Sequence, residues 1–248
     1  MASLLVPSIL ASTRRLRVAL LALLLALAGA LAVPAHAAER GQLPFVNNFA
    51  TAQFKVLSTV DLGGITAVAF GAGAVVLPDR SKLWIGTNDS PELTEVIQIG
   101  SAVYVRVGDK PWERSDELPP GAAQTQPVSA QFNVLQQNAN AILDMGPENV
   151  GDVPARRYQV WLSGAKALEI AGGDVDTLPS ELRDLLENAA YKYDFWVGTQ
   201  DAFLHQQLTT VIFAASKVGE VDIPETQSSV LVTFFDINDP NISINAPI

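Results

Sequence analysis

From Gln53 onward the chain alternates apolar and polar positions, and two-residue turns fix the register of several strands. The clearest case is Glu92–Arg114. Gly100-Ser101 reads as a tight hairpin turn with glycine first, where φ must be positive. Counting outward pairs Ile99 with Ala102, Gln98 with Val103, Ile97 with Tyr104, Val96 with Val105 and Glu95 with Arg106. One face then carries Thr94, Val96, Gln98, Val103, Val105 and Val107. The other carries Glu95, Ile97, Ile99, Ala102, Tyr104 and Arg106. A slip of one residue would break both sets. The valine face is expected to look inward and the charged face toward water.

Gln53–Leu77 repeats the pattern around Gly63-Gly64. Phe54, Val56, Val60, Leu62, Ile65, Ala67 and Ala69 share one face, and Lys55, Thr59, Asp61 and Thr66 the other. Gly71 and Gly73 suggest a bulge or a sharp bend in the second strand. Ser81–Thr87 is a short strand, and a turn at Asn88–Pro91 leads into the hairpin, so the chain up to Trp112 reads as a meander. Ser115–Pro127 is loop by composition.

The period then changes. Ser129–Met145 is expected to be a helix, with Phe132, Leu135, Ala139, Ile142 and Leu143 on one stripe, Ser129 as N-cap and Gly146-Pro147 as stop. Val153–Gly164 returns to strand, with Tyr158, Val160 and Leu162 on one side. Thr177–Asn188 is a second amphipathic helix with a stripe of Leu182, Leu185, Leu186 and Ala189. Strands follow near Tyr191–Gly198, Leu204–Ser216 and Ser229–Ile237, with a short one ending at Ile244. The whole reads as an α+β domain: a strongly curved antiparallel sheet of about nine or more strands, with two helices closing its concave side.

Composition adds an address. Arg14, Arg15 and Arg17 precede the apolar run Val18–Val33, and Ala35-His36-Ala37 is a small-x-small cleavage site, so residues 1–37 read as a secretory signal. An uncleaved anchor is the alternative, but the run is short against the ~20 residues of a membrane span. The mature chain, 38–248, is then one domain with an extracytoplasmic location. The chain has no cysteine, hence no disulfide framework and no lipobox anchor. The precursor carries 16 Lys+Arg against 26 Asp+Glu; losing the three signal arginines leaves 13 against 26, a net −13. That balance disfavours nucleic acid and anionic membrane surfaces as partners.

Little in the sequence suggests catalysis. His205 is the one histidine of the mature chain, no G-x-S-x-G or phosphate-binding glycine loop occurs, and thiolate or histidine-rich metal sites are impossible. Asp236-Ile237-Asn238-Asp239-Pro240-Asn241 has oxygen ligands at calcium-like spacing, but Asn-Asp-Pro also makes ordinary turns. No catalytic residue, metal or cofactor is expected. A carbohydrate-active enzyme built on two facing carboxylates stays open as a distant alternative.

Three stretches resemble a known family in order and spacing: YQVWLSG at Tyr158–Gly164; DFWVGTQDAFL, with Trp196–Gly198, Asp201 and Leu204; and the closing Phe234, Asp236, Asn238, Pro240, Ile244 and Ala246-Pro247. Together with the hairpin residues Val96, Tyr104, Val105 and Trp112, they are similar to LppX/LprG-type bacterial lipoproteins, which share a half-barrel fold with LolA-type carriers. The resemblance implies a helix-plugged hydrophobic cavity holding the acyl chains of a lipid, glycolipid or lipoprotein. Without it the valine face would read as packed core. With it, the expected lining is Phe54, Val56, Val60, Val96, Val103, Val105, Phe132, Leu135, Ile142, Tyr158, Val160 and Leu162. The absent cysteine departs from the family pattern and implies either a free carrier, as the LolA-type proteins are, or a protein anchored by another route. The rival expectation is an interaction or envelope-sensing module with a filled core that binds a membrane-associated partner protein.

Overall fold

The computed structural model describes residues 49–62, 65–115, 135, 137–171, 180–218 and 221–247. The proposed signal, the Gly63-Gly64 turn, most of the proline-rich loop and Phe132 lie outside the described residues. Eleven strands form one open antiparallel sheet in the order β6-β5-β4-β3-β2-β1-β13-β10-β9-β8-β7. They are β1 (Thr51–Leu62), β2 (Ile65–Val76), β3 (Arg80–Thr87), β4 (Ser90–Ile99), β5 (Ala102–Val107), β6 (Glu113–Ser115), β7 (Ala141–Val150), β8 (Val153–Ser163), β9 (Ala190–Gly198), β10 (Leu204–Phe213) and β13 (Thr226–Phe235). A separate small two-stranded sheet pairs β11 (Ser216–Val218) with β12 (Val221–Ile223), and the described residues include the helices α1 (Gly164–Ala171) and α2 (Ser180–Glu187).

Turn chemistry decided the first half. Gly100 has φ +59°, and β4 pairs with β5 in the register counted from it, from Ile99 opposite Ala102 to Thr94 opposite Val107. At the open end Arg106 donates to Glu95 through Nε at 3.1 Å. β1 and β2 likewise run from Leu62 opposite Ile65 to Thr51 opposite Val76. Gly71 and Gly73 make no bulge, since pairing with both neighbours is continuous there. Their role is close approach: a Cβ at Gly71 would run into the Trp84 carbonyl oxygen, and one at Gly73 into that of Lys82 and the Phe54 ring. Side-chain-free positions of this kind let neighbouring strands coil sharply.

Following partners across the sheet sorts it into two faces. Phe54, Val56, Ser58, Val60, Gly71, Gly73, Leu83, Ile85, Val96, Val103 and Val105 share one face with Val230, Val232, Gln207, Thr209, Phe195, Tyr193, Tyr158, Val160, Leu162 and Ile142. The helices pack on it, with Ala167 of α1 and Leu186 of α2 against Leu162, Tyr191 and Val211, so it is called the helix face below. The opposite, tail face carries Leu57, Phe70, Trp84, Ile97 and Tyr104.

Four expectations need correction. The helix expected over Ser129–Met145 stops early: 135 and 137–138 are helical, but Ala141–Val150 is strand β7. The apolar stripe at Ile142 fits either period. As a strand the segment pairs along β8, from Ala141 opposite Trp161 to Val150 opposite Val153, and itself becomes the edge of the sheet. Asn140 makes the switch: its N–H donates to the Trp161 carbonyl at 2.7 Å, and its Oδ1 accepts from the Ser163 N–H at 3.3 Å. Next, α1 was not expected. Its GAKALEIA sequence favours helix, and Gly164 is required because a Cβ there would strike the carbonyl oxygens of Leu186, Glu187 and Ala189.

The remaining two concern the tail. No strand ends at Ile244, which instead lies in an irregular segment as the buried partner of Ile97 and Tyr104. That contact also overturns the expectation that this side of the hairpin faces water. Asn238, at φ +62°, donates from its N–H to the Thr51 carbonyl and accepts the Ala50 N–H at Oδ1, both at 2.7 Å. The chain is thereby aimed across β1–β5, where Arg80 Nη1 donates to the Ile244 carbonyl at 2.9 Å. The calcium-like run is the turn that starts this crossing, with Asp239 Oδ1 accepting from the Asn241 side chain at 2.8 Å and Asp236 Oδ2 from Gln53 at 3.1 Å.

Candidate functional site

The helix face is packed unequally. Over β8–β10 it is filled: Leu135, Val160, Leu162, Tyr191, Tyr193, Phe195, Val211 and Phe213 form one buried cluster with the helices, and Ile142, Tyr158 and Phe234 pack at its border. Tyr193 and Phe195 stack at 6.1 Å. Over β1–β5 the same face is apolar but less covered. Phe54, Val56, Leu83, Ile85, Val96 and Val105 are half-buried there, while Val60 and Val103 are buried.

Ten of the twelve residues expected to line a cavity therefore stand on one face of the sheet. Leu135 joins them from the helical turn, and Phe132 lies outside the described residues. They divide into two environments. Leu135, Val160 and Leu162 are core, whereas Phe54, Val56, Val96 and Val105 belong to the open half. A small hollow of about 10 Å³, room for one water molecule at most, sits between β1, β2 and β3. Val56, Ser58, Ala69, Phe70, Gly71, Leu83 and Ile85 line it. Of the expected lining residues only Val56 borders it. Leu83 and Ile85 were missed because their face depends on register carried through the Asn88–Pro91 turn, and the β3–β4 pairing shifts between Ile85 and Thr87.

Two polar groups on this face lack partners. Ser58 on β1 and Ser228 on β13 are each 1% exposed, and neither hydroxyl has a hydrogen-bond partner. Their neighbours Gln207 and Thr209 satisfy each other, Gln207 Nε2 donating to Thr209 Oγ1 at 3.2 Å.

Burial in the filled half raises the Tyr191 hydroxyl to about pKa 12 and pushes Tyr193 higher still, with the neighbouring Tyr191 adding to the rise. The sign follows from the proton balance. Below pH 10, the ordinary tyrosine value, both states keep their protons and the stability contribution is complete. As pH rises from 10 through 12 the unfolded chain releases protons that the folded chain holds, and stability falls. Wild-type protein is expected to lose stability in urea titrations over this window. The Tyr191→Phe, Tyr193→Phe double variant is expected to lose less.

His205 accounts for one motif of the resemblance. It sits at the bulge between Leu204 and Gln206, with its Nε2 2.9 Å from Asp201 Oδ2. Asp201 Oδ1 accepts the Phe203 N–H at 3.0 Å, and a Cβ at Gly198 would collide with the Asp201 carboxylate. This cluster shapes the β9–β10 turn. Among the described residues no three His, Asp or Glu side chains are grouped to hold a metal, and no helix is long and apolar enough to cross a membrane.

No family model matches the sequence, and no curated protein matches it. Solved structures do resemble the fold. Lipoprotein LppX from Mycobacterium tuberculosis is 11% identical, with a TM-score of 0.47 over 80% of this chain and 91% of that one. LprF from Mycobacterium bovis is 10% identical, with a TM-score of 0.44 over 81% and 90%. A LolA superfamily protein from Nitrosomonas europaea is 9% identical, with a TM-score of 0.31 over 79% and 89%.

Proposed function

We propose that the mature chain, residues 38–248, is a non-catalytic extracytoplasmic domain that binds and carries the acyl chains of a lipid, glycolipid or lipoprotein. Its open sheet would act as a half-barrel, with α1 and α2 plugging one end of the helix face. The observation that carries this reading is the contrast along that face: β8–β10 are filled, while Phe54, Val56, Leu83, Ile85, Val96 and Val105 form an apolar wall left half-covered. A wall of this kind binds by area burial, about 0.8 kcal/mol for each methylene removed from water. At about 10 Å³ the hollow is far below the ~300–1,000 Å³ of typical ligand sites, so a chain would have to lie along the wall and part side chains to be covered.

Native mass spectrometry of the mature protein from its own host, followed by solvent extraction, tests the reading directly. A copurifying lipid is expected. In titrations with fatty-acyl probes of increasing length, affinity is expected to rise about fourfold per methylene. Affinity independent of chain length, or a clean apo mass with no probe binding, would sink the proposal. A second reading, docking of a membrane-associated partner protein, draws on Leu57, Phe70 and Leu93 of the tail face, which are 44%, 42% and 42% exposed.

A further inference from the structure

We infer that Ser58 and Ser228 form a polar subsite for the carbonyl oxygen that adjoins an alkyl chain, as in an acyl ester or a carboxyl group. The inference rests on the acyl-binding reading above and adds where the ligand's polar end sits.

Ser58 is opposite Val230 on the helix face, and Ser228 is the next same-face position along β13, opposite Val60. Diagonal neighbours of this kind stand about 7–8 Å apart. Around them the face is apolar, with Val56, Val60, Val211 and Val230 as cross-strand or same-face neighbours. Two hydroxyls buried among valines with no partner cost free energy in the empty protein, and alanine or valine would serve a plain core better. Such costs survive where a ligand repays them. Their place on the sheet gives the reason. β1 and β13 lie between the helix-filled strands and the open wall, and Ser58 itself borders the hollow. An acyl chain that parts the side chains on the wall of β1–β5 would end at this seam, with its carbonyl beside the Ser58 hydroxyl at the hollow and one diagonal step from Ser228. Thr209 and Gln207 close the far side, already paired with each other.

The test compares methyl palmitate, palmitic acid and a hydrocarbon of equal length on delipidated mature protein, each by displacement of a fluorescent acyl probe. Wild type is expected to prefer the ester over the hydrocarbon. The Ser58→Ala, Ser228→Ala double variant is expected to lose about five- to tenfold of that preference while binding the hydrocarbon as before. Comparison of ester with acid identifies which carbonyl source fits. Because each substitution removes an unpaired buried hydroxyl, the empty double variant is expected to melt at or above the wild-type temperature, and the two single variants give the same readout separately. Equal binding of ester and hydrocarbon by wild type overturns the subsite and leaves the apolar wall standing. Loss of all ligands alike in the variant, or a lowered melting temperature, makes the serines structural and also overturns it. If wild type binds none of the three, the acyl-binding reading falls and the subsite with it.

Discussion

Arg157→Ala is expected to destabilise the protein by about 3 kcal/mol, more than Asp194→Ala, although the two residues form one ion pair. The asymmetry comes from burial on the tail side of β8 and β9. The Asp194 side chain is 0% exposed and that of Arg157 is 27% exposed. Asp194 Oδ1 accepts from Arg157 Nε at 3.0 Å and Nη2 at 2.9 Å, and from Gln159 Nε2 at 2.9 Å. Its Oδ2 has only the Lys192 ammonium, at 3.6 Å, and no hydrogen bond. Removing the arginine leaves a carboxylate that water cannot reach, with only the Gln159 amide and the more distant Lys192 ammonium beside it. Removing the aspartate leaves a guanidinium that is partly hydrated, stacked 5.1 Å over Trp196 and within 3.5 Å of Glu148. Urea unfolding of the two single variants decides the order. The Arg157→Leu, Asp194→Leu double variant is expected to recover most of the loss, since the fully buried carboxylate is gone and the remaining Lys192 ammonium, with its side chain 23% exposed, can turn toward water. Equal destabilisation by the two alanines would show that Asp194 is better solvated than its environment indicates.

The second large effect concerns binding. Val105→Arg is expected to abolish acyl-probe binding, a loss of at least about tenfold, with the fold intact. Val105 lies on the open half of the helix face opposite Val96 and Glu113, and it is half-buried, so an arginine can reach water without breaking the sheet. The guanidinium then sits where the acyl chain would lie, and desolvating it costs more than the burial of a few methylenes returns. Circular dichroism and a melting curve show whether the variant is folded. A folded variant that binds the probe with wild-type affinity would mean that the valine wall is not the ligand surface.

The hairpin and the β1–β2 pair were legible because a two-residue turn converts local chemistry into register, and register with period two assigns every side chain to a face. Nothing beyond the neighbouring strand was needed for Val96, Val103 and Val105 to be placed together. The misread segment, Ser129–Met145, shows the limit. Ile142 satisfies a helical stripe as well as a strand, and the strand is made by pairing with β8, where Ile142 stands opposite Val160, more than ten residues away in sequence. Likewise the Glu95, Ile97 and Tyr104 face looked solvent-directed from its own composition. Its cover, Ile244, comes from the far end of the chain and is held by Arg80.

The candidate site divides in the same way. Which residues are apolar, which share a face and which positions lack a side chain, as at Gly71 and Gly73, were properties of the sequence, set by turns and alternation. Whether that face is core or wall depended on where α1 and α2 pack. Their bulk fills β8–β10 and leaves β1–β5 half-covered. The unpaired state of Ser58 and Ser228 emerged only when both were brought among valines. Alternation gives each strand its two faces, but what covers a face is contributed by distant segments, and the tertiary structure decided that.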